Sequence, residues 1–137
     1  MREIKFRGWY GSRLGMMTPT FNGDINKIFA EKHGDYMQFT GLKDSKGNEI
    51  YEGDIILITY DKDYSEHPYY LGEVKFRCDT DYPAFDLLPW VDCDMNALSW
   101  LKSKCDPSVK SYEVVGNIYE NPKMVGRLGA QSEDLYN

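Results

Sequence analysis

The chain has 137 residues, a net charge of −6, and 42% hydrophobic against 28% charged residues. That length suits one domain able to bury a core without staples, and the composition excludes a disordered chain and a membrane-embedded one. The negative balance argues against a general nucleic-acid binder, whose non-specific affinity rests on a positive face, although a local basic patch stays open.

With 11 Tyr, 6 Phe and 3 Trp, the chain leans towards strand. Residues 2–9 alternate as a half-buried strand, with Ile4 and Phe6 on one face and Glu3, Lys5 and Arg7 on the other. Gly11-Ser12-Arg13 reads as a turn, and Leu14, Met16 and Met17 as the returning hairpin partner. Asn22-Gly23 is a strong turn signal. Beyond it Ile25, Ile28 and Phe29 have helical spacing between a capping Asp24 and a terminating Gly34.

Residues 36–42 read as a strand, residues 43–48 as a polar turn, and residues 55–60 as an apolar, β-branched strand buried on both faces. A charged loop then leads to a strand at 69–77, with Tyr70, Gly72, Val74 and Phe76 on one side. A further strand at 84–91 carries Pro89, which points to an edge or a bend. A helix is expected over 94–104, with Asp92 or Asp94 as its cap and Asp106-Pro107 as its stop. Residues 112–119 form the closing strand, and residues 126–137 a loose tail. The expected architecture is mainly β: a small Src-homology-3-like barrel core with an N-terminal β-hairpin extension and one or two short helices, in a single domain over residues 1–125.

No pattern of residues points to catalysis or a cofactor. Asp92, Asp94 and Asn96 open like a calcium loop, but Ala97 and Ser103 stand where that loop needs Gly and Glu. Cys78, Cys93 and Cys105, with His33 or His67, lack the close pairing of a structural zinc site. The odd cysteine count and absent CxxC speak against a disulfide framework. There is no signal-peptide pattern and no apolar run approaching ~20 residues, so cytoplasmic residence without membrane association is expected. No P-loop, G-x-S-x-G or G-x-G-x-x-G occurs. An enzyme would instead need a concave pocket holding a group of shifted pKa.

Two clusters invite a binding role. Tyr60, Tyr64, Tyr69 and Tyr70 flank the charged loop and Tyr82 and Trp90 the next turn; Tyr and Trp are the residues of binding hot spots, with burial in the sheet core as the competing reading. Arg2, Lys5, Arg7 and Arg13 gather near the N-terminus, where a solvated polar face competes with a phosphate-binding patch.

Four segments resemble the YopX family: REIKFRGWYG at the start, MQFTGLKDSKGNEIYEGDII at 37–56, GEVKF at 72–76 with Phe85 downstream, and EVVGNIYENPKMV at 113–125. The resemblance implies a mostly β small barrel, a homo-oligomer, and a phage or prophage accessory protein working in a bacterial cytoplasm, with no assigned catalytic residues. On it rest two expectations: a non-catalytic module that binds a host or phage protein, or a nucleic-acid-binding small barrel of phage replication or regulation. Within those segments Gly41, Gly47 and Gly53 suit turns, Asp54 suits bonds to turn amides, and Asn117, Glu120 and Asn121 suit a strand-stopping turn.

Overall fold

The structure is a computed structural model describing residues 4–18, 35–61, 63, 68–77, 84–89, 96–104 and 106–129. The chain runs β1 (Phe6–Trp9), α1 (Gly11–Leu14), β2 (Met16–Met17), β3 (Asp35–Lys43), β4 (Glu49–Tyr51), β5 (Asp54–Tyr60), β6 (Tyr69–Arg77), β7 (Ala84–Leu88), α2 (Ala97–Ser103), β8 (Val109–Asn117) and α3 (Pro122–Val125). The strands form two four-stranded sheets, in the orders β2-β1-β3-β4 and β7-β6-β5-β8, and all pairings are antiparallel. This is the mainly β, small-barrel architecture expected, with an N-terminal hairpin beside the core. The expected helix between Asp24 and Gly34 lies outside the described residues.

β5 is the spine. Its side chains alternate between two apolar layers, as its unbroken β-branched run dictates. Ile56 and Ile58 point to one layer, where they meet Val74, Leu87 and the α2 residues Ala97, Leu98 and Leu101. Ile55 and Leu57 point to the other, packing with Leu71 against Val115, Ile118, Met124 and Leu128. Each fully buried aliphatic side chain here contributes about 1.5–3 kcal/mol. The α2 helix thus covers one face of the sheet and the C-terminal turns cover the other. Of the segment after Val125, residues 126–129 are described; there Leu128 joins the second layer and the Gly129 amide donates to the Leu71 carbonyl at 2.6 Å.

The two sheets are joined through the turn between β4 and β5. The Glu52 amide donates to Gln38 in the first sheet and the Gly53 amide to Val74 in the second, while the Gly53 carbonyl accepts from Ile118. Gly53 has φ +87, and a Cβ there would lie 3.3 Å from the Met37 sulfur. Gly53→Ala should therefore cost about 1–2 kcal/mol from backbone conformation alone, read as a lower denaturation midpoint in urea.

β8 is an edge strand whose outer amides are covered by the turn at 44–48. The Asp44 carboxylate accepts from the Val114 amide at 2.9 Å, and Ser45 exchanges bonds with Tyr112. A polar turn here replaces the missing neighbour strand, one of the ways a sheet edge is protected.

Three local expectations are corrected. The α2 cap is Asn96 rather than Asp92 or Asp94: its side-chain oxygen accepts from the Ser99 amide at 3.0 Å while its amide group donates to the Phe85 carbonyl. The turn at 11–13 is a helical turn that takes in Leu14, so the returning hairpin partner is Met16–Met17 alone. The polar face of β1 is not a solvated one, as follows below.

Candidate functional site

Arg7 of β1 points inwards, and Lys5 just before that strand is ion-paired. Arg7 sits over the Tyr51 ring at 4.7 Å and pairs with Asp54, whose side chain is 1% exposed. The second Asp54 oxygen accepts from the Tyr51 amide at 2.7 Å. Burial pushes the Asp54 carboxyl up, against the downward pull of Arg7 and of the Tyr51 amide. Lys5 pairs with Glu49 and lies 5.1 Å from the centre of the Phe39 ring. Lys5 and Arg7 therefore fasten β1 to the turn of the core, and neither is available as part of a phosphate-binding patch. Arg13 is exposed, and Arg2 lies outside the described residues.

The hairpin aromatics divide differently. Tyr70 is 8% exposed and packs in the layer beneath α2. Tyr69, on the opposite face, is half-buried against the second layer and lines a surface cleft. Tyr64, Tyr82 and Trp90 lie outside the described residues, as do Cys78, Cys93, Cys105, His33 and His67. Among the described residues no three His, Cys, Asp or Glu side chains are grouped to hold a metal ion.

Tyr69 leads to a groove that the sequence does not announce. Two clefts open at one end of the β5-β8 pair. The first, about 340 Å³, is walled by Trp100, Leu101, Val109 and Tyr112, with Lys104 and Asp106 among its polar residues. The second, about 410 Å³, lies between Tyr60, Pro68 and Tyr69, with Asp61 and Asp63 beside them. Lys110 lines both.

Local geometry explains how Lys110 reaches that position. Thr59 pairs with Ser111 and the next β5 residue, Tyr60, pairs with Val109, so Lys110 is the extra residue of a β-bulge. Such a bulge re-aims a side chain away from the pleat. On the facing wall Lys104 ends α2 in the left-handed conformation, with φ 55. Both lysines are exposed.

Tyr60 and Asp106 are each fixed in one state near neutral pH. Burial, together with Asp106 and Tyr70, pushes the Tyr60 hydroxyl up to about 12. Hydrogen bonds from the Ser108 hydroxyl and amide and from Trp100, working against slight burial, hold the Asp106 carboxyl below its ordinary value. A neutral phenol and a settled carboxylate offer hydrogen bonds and charge for recognition; neither is poised to carry protons, which asks for a pKa near the working pH.

The segments that resemble one family prove to be the ones that touch each other. Arg7 of the first holds Asp54 of the second; Asp44 of the second holds Val114 of the fourth; Gly53 bonds Val74 of the third. Trp9 stacks on Tyr119, with ring centres 6.0 Å apart. In the fourth, the Asn117 side chain accepts from the Tyr119 and Glu120 amides and donates to Glu120, while Asn121 accepts from the Asn117 amide. The family model described as YopX protein matches residues 18–125. The chain belongs to the YopX family. The opening segment of the resemblance precedes the matched stretch.

A crystal structure of protein EF1440 from Enterococcus faecalis is similar to this YopX-family chain, with a TM-score of 0.60 at 24% identity, over 91% of this chain and 99% of that one. At that identity the likeness speaks for the fold. No curated protein matches the chain. Among the described residues no helix is long and apolar enough to cross a membrane.

Proposed function

We propose that this YopX-family protein is a non-catalytic interaction module, and that the groove around Lys110 is its recognition surface. The observation that carries this reading is the pair of clefts sharing one bulge-presented lysine, with Trp100 and Tyr112 on one side and Tyr60 and Tyr69 on the other. Half-buried aromatic walls with a few directed polar groups are how proteins assemble a binding hot spot. The phage or prophage setting and the homo-oligomeric state implied by the family resemblance belong to the same reading, and light scattering on the purified chain reports the latter.

The test is affinity capture from bacterial lysate with the intact protein and three variants. A protein retained by the wild type and by Lys123→Glu, but lost with Trp100→Ala and Lys110→Glu, supports the reading. A captured set that groove variants leave unchanged, or no captured protein, overturns it. Circular dichroism confirms that each variant is folded. The nucleic-acid alternative draws on the same aromatics with Lys104 and Lys110, since bases stack on such walls; it requires oligonucleotide binding that falls steeply with added salt.

A further inference from the structure

Charge in the groove is divided between its two halves. In the first cleft Asp106 is already committed: it accepts from the Ser108 amide at 2.9 Å and the Ser108 hydroxyl at 2.6 Å, and bonds Trp100. Lys104 and Lys110 make no ion pair among the described residues. This half carries a net positive charge, two lysines against one hydrogen-bonded carboxylate, beside an indole and a phenol ring. In the second cleft the order is reversed. Asp61 accepts the Asp63 amide at 2.9 Å, and neither carboxylate has a cationic partner among the described residues. Lys110 stands at the boundary.

We infer that the groove takes an extended segment of a partner protein carrying an acidic side chain, an apolar side chain and a basic side chain in succession. The acid meets Lys104 and Lys110, the apolar group lies against Trp100 and Tyr112, and the base meets Asp61 and Asp63. This rests on the groove being the recognition surface. A nucleic-acid strand fits one half only, because its next phosphates run onto the two aspartates, and like charges in contact repel. A uniformly acidic peptide fails for the same reason. A segment of mixed charge satisfies both halves, and each cleft has the volume for one or two side chains. Lys110 is the extra residue of a bulge and Lys104 the left-handed end of α2, so both cations of the first cleft stand where the backbone departs from regular structure.

The experiment titrates the full chain with labelled synthetic peptides in a Gly-Ser background. One set carries Asp, Leu and Lys at alternate positions, a second carries Asp, Leu and Asp, and a short oligothymidylate serves as polyanion. Fluorescence anisotropy reports binding, and the Trp100 indole NMR signal reports the place. Expected are binding of the mixed peptide in preference to the other two probes, about tenfold weakening by Lys110→Glu, and recovery with that variant when the peptide Asp is changed to Lys. Lys104→Glu should weaken the same peptide.

Equal binding of the mixed and all-acidic peptides, indifference to Lys110→Glu, or preference for oligothymidylate each overturns the inference. If the peptides fail while lysate capture still depends on Trp100 and Lys110, the peptide chemistry alone is wrong. If capture also fails, the recognition surface itself is misplaced.

Discussion

Asp54→Ala is expected to cost about 3–5 kcal/mol of folding stability, because it removes one half of a buried ion pair. The Arg7 and Asp54 side chains are 16% and 1% exposed, and the buried Arg7 Nε has no acceptor among the described residues. Loss of the carboxylate removes the guanidinium's anionic partner, leaving it the Tyr51 ring, and deprives the Tyr51 amide of its acceptor. Arg7→Met leaves the opposite defect. There Asp54, already pushed up by burial, loses the cation that pulled it down and binds a proton more tightly in the folded state than in the unfolded one. Such a group contributes stability below the ordinary carboxylate range that is lost as pH rises through its folded pKa. The deficit of Arg7→Met relative to wild type should therefore widen from pH 4 towards neutrality. Replacing both residues by apolar ones should restore most of the loss, since neither charge then remains buried alone. Urea denaturation of the two single variants and the double variant closes the cycle; additive costs would show that the pair is not coupled.

Arg7 also marks where reading the sequence stops. Alternation in residues 2–9 separates two faces but does not say which face is inside. Charge suggested that Lys5 and Arg7 face water, and their partners lie 44 and 47 residues away in sequence. The available signal was Asp54 itself, a carboxylate opening an apolar strand, which needs a partner once buried. Short-range signals fared better. β6 has the expected bounds, β5 shows the expected two-sided burial, and Gly53 occupies the positive-φ turn its segment predicted. Each of these depends on residues close in sequence.

The groove was least legible for the same physical reason. Lys110 owes its position to a register shift, a property of strand pairing that no single-strand pattern encodes. Trp100 and Tyr112 come together because α2 packs on the face of the sheet to which Tyr112 points. Of the aromatic hairpin end, Tyr60 and Tyr69 are the described residues that line this groove, while Tyr70 lies in the core. There is a corresponding division of labour along the chain. The segments carrying the family resemblance supply the contacts that close the fold. The groove is walled almost entirely by the intervals between them, with Ser45 the exception. A scaffold fixed by buried hydrogen bonds and a recognition surface set apart from it can change independently.

Asp44 offers the sharpest test of that scaffold. Its side chain closes its own turn and the edge of β8 together: one oxygen accepts from the Lys46 and Asn48 amides, the other from the Val114 amide at 2.9 Å and the Asn48 side chain. Asp44→Ala strands Val114 at the sheet edge and should cost about 2–3 kcal/mol, since exposed turn amides recover water while the strand amide does so less well. Asp44→Asn keeps one acceptor and should fall between. Burial works to raise the Asp44 carboxyl, but the Val114, Asn48 and Lys46 hydrogen bonds outweigh it and hold it below its ordinary value. The sign follows: a depressed folded pKa contributes stability that is present above the unfolded pKa, near 4, and lost as pH falls through the folded one. Wild type should therefore lose stability on acidification below about pH 4, and Asp44→Asn should show a shallower acid slope. Hydrogen exchange at the Val114 amide should accelerate in both variants while Ile56, in the central strand, keeps its protection. Unchanged exchange at Val114 would mean that the turn does not seal the β8 edge, and the sheet would need another explanation for ending there.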